Sequence, residues 1–140
     1  MNAEYLKLAL LLCGIGHIVL SIASMIIPKA LQWKKELNKL PVLLKQLFWT
    51  YAAYILVINF SFGIISIYGT EELMNHSFLA KSITLFISIY WAARVLIQFF
   101  YFDTTNAPKG FLYKAGEVML ILLFVLFTAV YFVTFLYNHS

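Results

Sequence analysis

His17, Arg94 and Glu117 each sit inside a long apolar stretch of the chain. An ionisable side chain surrounded by hydrocarbon is costly unless it is paired, so each is a candidate functional residue. Arg94 lies in WAARVLIQFFYFD, residues 91–103, with Trp91 one turn before it and Gln98 one turn after. A guanidinium in that setting clamps an anionic group, either a carboxylate of the protein or the head of a ligand. His17 and Glu117 are the catalytic candidates, because imidazole and carboxylate can act as general acid or base. Asn59, central in another apolar stretch, offers a donor and an acceptor at depth.

The elements that carry these residues follow from composition. Of the 140 residues, 63% are hydrophobic and 11% charged. A soluble domain has roughly 45–50% apolar and about 25% charged residues, so lipid is the solvent for most of this surface. Four stretches reach the roughly 20 apolar residues that a spanning helix needs. They run over about 5–27, 43–68, 78–102 and 112–137. Pro28, Gly69 and Asp103 close the first three. The first is too long for the apolar core of a signal peptide and lacks an A-x-A-like site, which predicts a retained span. The expected architecture is an all-α, polytopic four-transmembrane-helix bundle, one domain over residues 1–140, with no room for a separate soluble unit.

Charge placement predicts orientation. The first connection, PKALQWKKELNKLPVLLK, carries Lys29, Lys34, Lys35, Lys39 and Lys45 against Glu36. The second, GTEELMNHS, carries Glu71 and Glu72 and no Lys or Arg; the third has Lys109, with Lys114 just beyond. Connections one and three then face the cytoplasm and both termini lie outside, with Lys7 weakly opposing. In the first connection Leu31, Trp33, Leu37 and Leu40 alternate with lysines, which predicts a short amphipathic interfacial helix before Pro41 opens the next span. That helix is either an anchor on anionic lipid or a gate or docking element. Trp33, Phe48, Trp49, Phe99–Phe102, Phe111 and Tyr113 form an aromatic belt at the same level.

Within the spans the polar residues fall into stripes at 100° per residue. Cys13, Gly14, Ser21 and Ser24 flank His17. Ala52, Gly63 and Ser66 share the face of Asn59, with Gln46, Thr50 and Ser61 on another. Thr84, Ser88, Trp91 and Gln98 line up with Arg94 at their edge. Glu117, Thr128 and Tyr131 share a face. Arg94 is roughly 12 Å from the end of its span and Glu117 roughly 8 Å from the start of the next, at 1.5 Å per residue. Spans three and four are antiparallel neighbours. An Arg94–Glu117 ion pair is therefore expected, with Gln98 completing it and His17 and Asn59 deeper. The pair either locks two helices or serves a ligand, substrate or proton. Glu117 can instead pair with Lys114, leaving Arg94 to an anionic ligand group. His17 is equally an interhelical hydrogen-bonding residue. Ser21, Ser24, Ser88 and Asn59 suit helix packing. His76 and His139 fall outside the spans, as solvated residues.

Several functions are disfavoured. The single cysteine, Cys13, excludes an internal disulfide and a cysteine-based zinc site, and it suits packing in its apolar run. No phosphate loop, HExxH or CxxC motif occurs, and no metal-ligand set stands out. A haem would want a second axial ligand beside His17, which makes haem unlikely unless a dimer supplies one. No lysine lies deep enough for a retinal Schiff base. Basic residues cluster at a membrane edge, which argues against nucleic acid.

GIGHIVLSIAS, IPKALQWKKEL, LLKQLFWTYAAYI and YWAARVLIQFFYFD together resemble uncharacterised small four-span bacterial integral membrane proteins. The resemblance covers most of the chain, and the last stretch is its most specific part. It implies a bacterial inner (plasma) membrane location and carries no activity with it.

The best fit is an integral membrane protein with an intramembrane polar pocket on the cytoplasmic side. Arg94, Gln98, Glu117, His17, Asn59 and Trp91 would bind a lipid-like or quinone-like ligand, or the chain would serve as an accessory subunit of a membrane complex. One alternative is a membrane-embedded enzyme acting on a lipid or isoprenoid, with His17 or Glu117 as acid or base and Arg94 as head-group clamp. Another is a proton-coupled small transporter, which four spans would form as a dimer. The expected partners are membrane lipids, a second copy or a larger membrane complex.

Overall fold

The computed structural model describes residues 3–30, 32–101 and 110–139. Four helices in it are long and apolar enough to cross a membrane: Ala3–Lys29, Val42–Tyr68, Phe78–Phe100 and Lys114–His139. The elements in chain order are α1 (Ala3–Ser24), α2 (Ile27–Ala30), α3 (Trp33–Leu37), α4 (Val42–Tyr68), a 3₁₀ turn (Glu72–Met74), α5 (Phe78–Phe100) and α6 (Phe111–His139). No strand occurs among the described residues. The four-helix membrane bundle read from the sequence is the fold. The ends predicted at Phe102 and Asp103, together with Leu31 and Lys109, lie outside the described residues.

The first span ends differently from the expectation. Regular helix stops at Ser24, not at Ile27, and Pro28 falls inside a separate turn, α2. Proline has no N–H for the Ser24 carbonyl, and its ring crowds that carbonyl. The chain tightens there through Met25 N–H to the Ile22 carbonyl and Ile26 N–H to the Ala23 carbonyl. The amphipathic helix is short: α3 has five residues. Pro41 does precede α4, and its carbonyl accepts from Lys45 N–H. Ser77 caps α5 by accepting from Ala80 N–H at 3.0 Å.

The helices pack as two close antiparallel pairs, α1 with α4 and α5 with α6, joined where α1 also touches α6. Glycine permits the first pair. A Cβ on Gly63 would stand 2.9 Å from the Gly14 carbonyl oxygen, and one on Gly14 would stand 3.0 Å from the Gly63 carbonyl oxygen. The backbones therefore meet directly, as small residues allow between spanning helices. α4 and α5 approach through long side chains instead, with Phe62 edge-on to Phe86 and Tyr90.

The core is one-sided along the helix axes. Among the described residues of the four long helices, burial runs from Leu6 to Ser21 in α1 and starts only at Asn59 in α4. It ends at Trp91 in α5 and starts at Phe124 in α6. The half toward connection two is closed. The half toward connections one and three is open on three helices: α4, α5 and α6 bury no described side chain there, while α1 stays buried as far as Leu20 and Ser21. The closed end is tied off twice. Lys7 Nζ reaches Glu71 Oε1 at 2.7 Å, and this hydrogen bond and charge hold the exposed Glu71 carboxyl below the usual carboxylate range. Asn138 donates to the Leu73 carbonyl at 2.6 Å and accepts from His76 N–H at 3.2 Å. His76 is thus part of a clasp, with φ of 61°, and not simply solvated. His139 ends α6 stacked near Phe135.

Replacing Gly63 by Val is expected to lower stability by roughly 1–3 kcal/mol, because the two backbones must separate. Gly116→Ala, where an added Cβ meets nothing within 4 Å, is expected to be neutral or stabilising by up to about 1 kcal/mol. Thermal unfolding of both variants in one detergent measures the contrast, and equal loss would refute the backbone contact.

Candidate functional site

The deepest polar group is His17, and its bonding follows from its position on α1. Its Nδ1 lies 2.7 Å from the Cys13 carbonyl oxygen, one turn earlier, so Nδ1 carries the proton and donates. Its Nε2 accepts from the indole Nε1–H of Trp91 at 2.9 Å. The ring is fully buried. It stacks on Phe127 at 3.9 Å and is met edge-on by Phe62 and Tyr131. Both nitrogens are occupied in this neutral tautomer. A metal, a haem iron or a transferred proton would have to displace the Trp91 indole first.

Around this centre the polar stripes turn inward as their spacing predicts. Ser21 is buried and donates to the His17 carbonyl, and Ser66 and the Tyr131 hydroxyl are hydrogen-bonded partners. Ser88 donates to the Thr128 carbonyl at 2.9 Å and so pins α5 to α6. Asn59 accepts from the Tyr90 hydroxyl at 3.1 Å, linking α4 to α5. Among the described residues no buried side-chain nitrogen or oxygen lacks a hydrogen bond. The expected second face of α4 is different: Thr50 and Ser61 bond back to their own helix at the Gln46 and Val57 carbonyls.

Arg94 lies just beyond this centre, half-buried at the floor of the open half. Its Nη1 donates to Gln98 Oε1 at 3.2 Å, and its guanidinium stands 5.2 Å over the Phe124 ring. The predicted Arg94–Glu117 ion pair is not formed. The register explains why. Ser88 bonds at Thr128 and Trp91 stacks on Phe124 at 4.9 Å, so the Arg94 backbone comes level with Ile121 and Leu122. Glu117 lies just over one turn below that, about 7 Å away along the axis at 1.5 Å per residue. Depth counted from the ends of the spans misses this offset, because α6 begins further from the core than α5 ends. Glu117 also makes no ion pair with Lys114; the ion pairs among the described residues are Lys7–Glu71 and Lys39–Glu36.

The structure therefore brings His17 to Trp91, Arg94 to Gln98 and Asn59 to Tyr90, with Trp91 and Asn59 as the floor between His17 and Arg94. It sets Glu117 apart, nearer the open end. Sequence reasoning missed the ring cage of Phe62, Phe124 and Phe127 and the Asn138 clasp. The signal was present in the run Phe124, Phe127, Tyr131, Thr134, Asn138, which repeats at helical spacing. Comparisons with family models, curated proteins and solved structures gave no match.

Trp91→Phe keeps most of the ring contact but leaves Nε2 of His17 buried without a donor. A loss of roughly 1–3 kcal/mol is expected. His17→Leu in the same background should recover part of it, because no acceptor then remains to satisfy. A double-mutant cycle by thermal unfolding decides this, and strictly additive losses would exclude the bond as a stabilising contact.

Proposed function

We propose that this chain is a membrane-embedded binding module for an amphipathic, lipid-like ligand, a quinone-like one included. The ligand occupies the open half with its polar or anionic head at Arg94 and Gln98. The observation that carries this reading is the one-sided core. Burial on α4, α5 and α6 stops at Asn59, Trp91 and Phe124, and the half-buried cation sits one turn beyond Trp91, where those three helices carry no buried side chain. Trp91, Phe124 and the Asn59–Tyr90 pair make a floor beneath the head. The walls above are apolar and aromatic, suited to a tail. Glu117 stands nearer the mouth, where it screens the entry rather than the head. The chain then works alone or as the ligand-holding subunit of a larger complex or homodimer.

An enzyme acting on such a lipid is the weaker alternative, because the ring nitrogens of His17 are both engaged. The lysine distribution favours placing the open half on the cytoplasmic side, with both termini outside. The resemblance to bacterial four-span proteins favours an inner-membrane location.

Native mass spectrometry of protein purified in mild detergent tests the proposal. Wild type is expected to carry one lipid-like molecule or quinone per chain, and Arg94→Ala is expected to lose it at unchanged yield and unfolding temperature. An empty wild type, or retention unaltered by Arg94→Ala, would refute it.

A further inference from the structure

The first connection holds a second group of cations, separate from Arg94, whose charges are unequally answered. Lys39 Nζ pairs with Glu36 Oε2 at 3.0 Å, and Lys45 Nζ donates to Asn38 Oδ1. Lys29, Lys34 and Lys35 have no acidic partner among the described residues. Those same three line one depression of about 480 Å³ with Pro28, Gln32 and Asn38. Asn38 gives its oxygen to Lys45, so its amide N–H₂ remains a donor. The depression thus gathers cations and neutral amides and no carboxylate.

Its position fixes the kind of anion that can reach it. Trp33 of α3 packs edge-on against Phe48 at 4.9 Å and Trp49 at 5.9 Å on α4. Leu37 is buried. The lysines of α3 are therefore held at the end of the apolar spans, at headgroup level, by an aromatic anchor. Basic pockets at that level bind phosphate-bearing lipid heads.

We infer that the depression between α2 and α3 is a binding site for an anionic phospholipid headgroup with two phosphates, held by Lys29, Lys34 and Lys35. A single phosphate would leave part of the volume and one cation unused. The site is separate from Arg94.

Titration of the detergent-purified full chain with cardiolipin, phosphatidylglycerol and phosphatidylcholine, followed by native mass spectrometry, tests this. Cardiolipin is expected to bind tightest, by about tenfold over phosphatidylglycerol, with phosphatidylcholine weakest. K34Q/K35Q is expected to weaken cardiolipin binding by on the order of tenfold, from two surface charges. K39Q/K114Q removes the same charge from residues outside the depression and should stay within about twofold. K29Q, which leaves α3 untouched, is a second variant should the double change fail to fold, and it should weaken binding by about threefold to fivefold. The ligand retained through Arg94 should persist in K34Q/K35Q. Equal weakening in both double variants would reduce the site to diffuse attraction and overturn the inference. So would displacement of cardiolipin by an equal concentration of pyrophosphate, which would mark a site for soluble anions.

Discussion

Trp91 and His17 form the central one of the side-chain hydrogen bonds that join the two helix pairs. Between spanning helices there is no hydrophobic force, because lipid tails are as apolar as the side chains they would replace. Association rests on close packing and on polar groups that have no water to turn to. Within α1–α4 the packing is direct, backbone on backbone at Gly14 and Gly63. Between the pairs it is not, and the link passes through the indole N–H donating to the imidazole. Ser66 with Tyr131 and Asn59 with Tyr90 repeat the device one layer away on either side. Each bond crosses from the first pair to the second, so loss of one leaves a buried group unpaired and strains the same seam.

Those crossing bonds cluster in the closed half, and that placement makes the rest of the bundle asymmetric. Once past Trp91 and Phe124, α5 and α6 carry Leu, Ile, Phe and Val outward on nearly every face. α4 before Asn59 does the same. These turns have no polar reason to converge, and lipid or a ligand serves as well as another helix. The clasps at Glu71 and Asn138 secure the closed end from outside. The open end has instead the aromatic contact of Trp33 with Phe48 and Trp49, which fixes α3 to α4 without drawing the spans together.

Much of this was legible in the sequence, and what was not has a physical cause. The four spans follow from apolar length alone. The inward stripes around His17, Asn59 and Ser88 follow from the 100° advance per residue, since a polar group in hydrocarbon must face a partner. The partners themselves were not legible. Trp91 was on the stripe, but its match with His17 depends on how α1 crosses α5, seventy-four positions away in the chain. The Arg94–Glu117 pairing failed for the related reason that helix ends do not set register. Ser88 and Trp91 set it, by bonding and stacking at Thr128 and Phe124. Pro28 was read as a simple stop, yet its effect falls four residues earlier, on the carbonyl it cannot satisfy.

Three effects seen among the described residues help Arg94 to be tolerated where it is. Gln98, one turn on, takes a guanidinium N–H within the same helix, so the bond forms as soon as α5 does. The Phe124 ring presents its negative face to the cation. The position lies one turn past the last buried residue of α5, so the long side chain keeps a route toward the open end and its headgroups. A charge one turn deeper, at Trp91, would meet only rings and filled hydrogen bonds. A charge two turns further out, near Phe100, would be solvated and select nothing. Arg94 is thus at the depth where a cation is still partly desolvated, and so still discriminates between polar heads, while the opening of the bundle lets a head reach it.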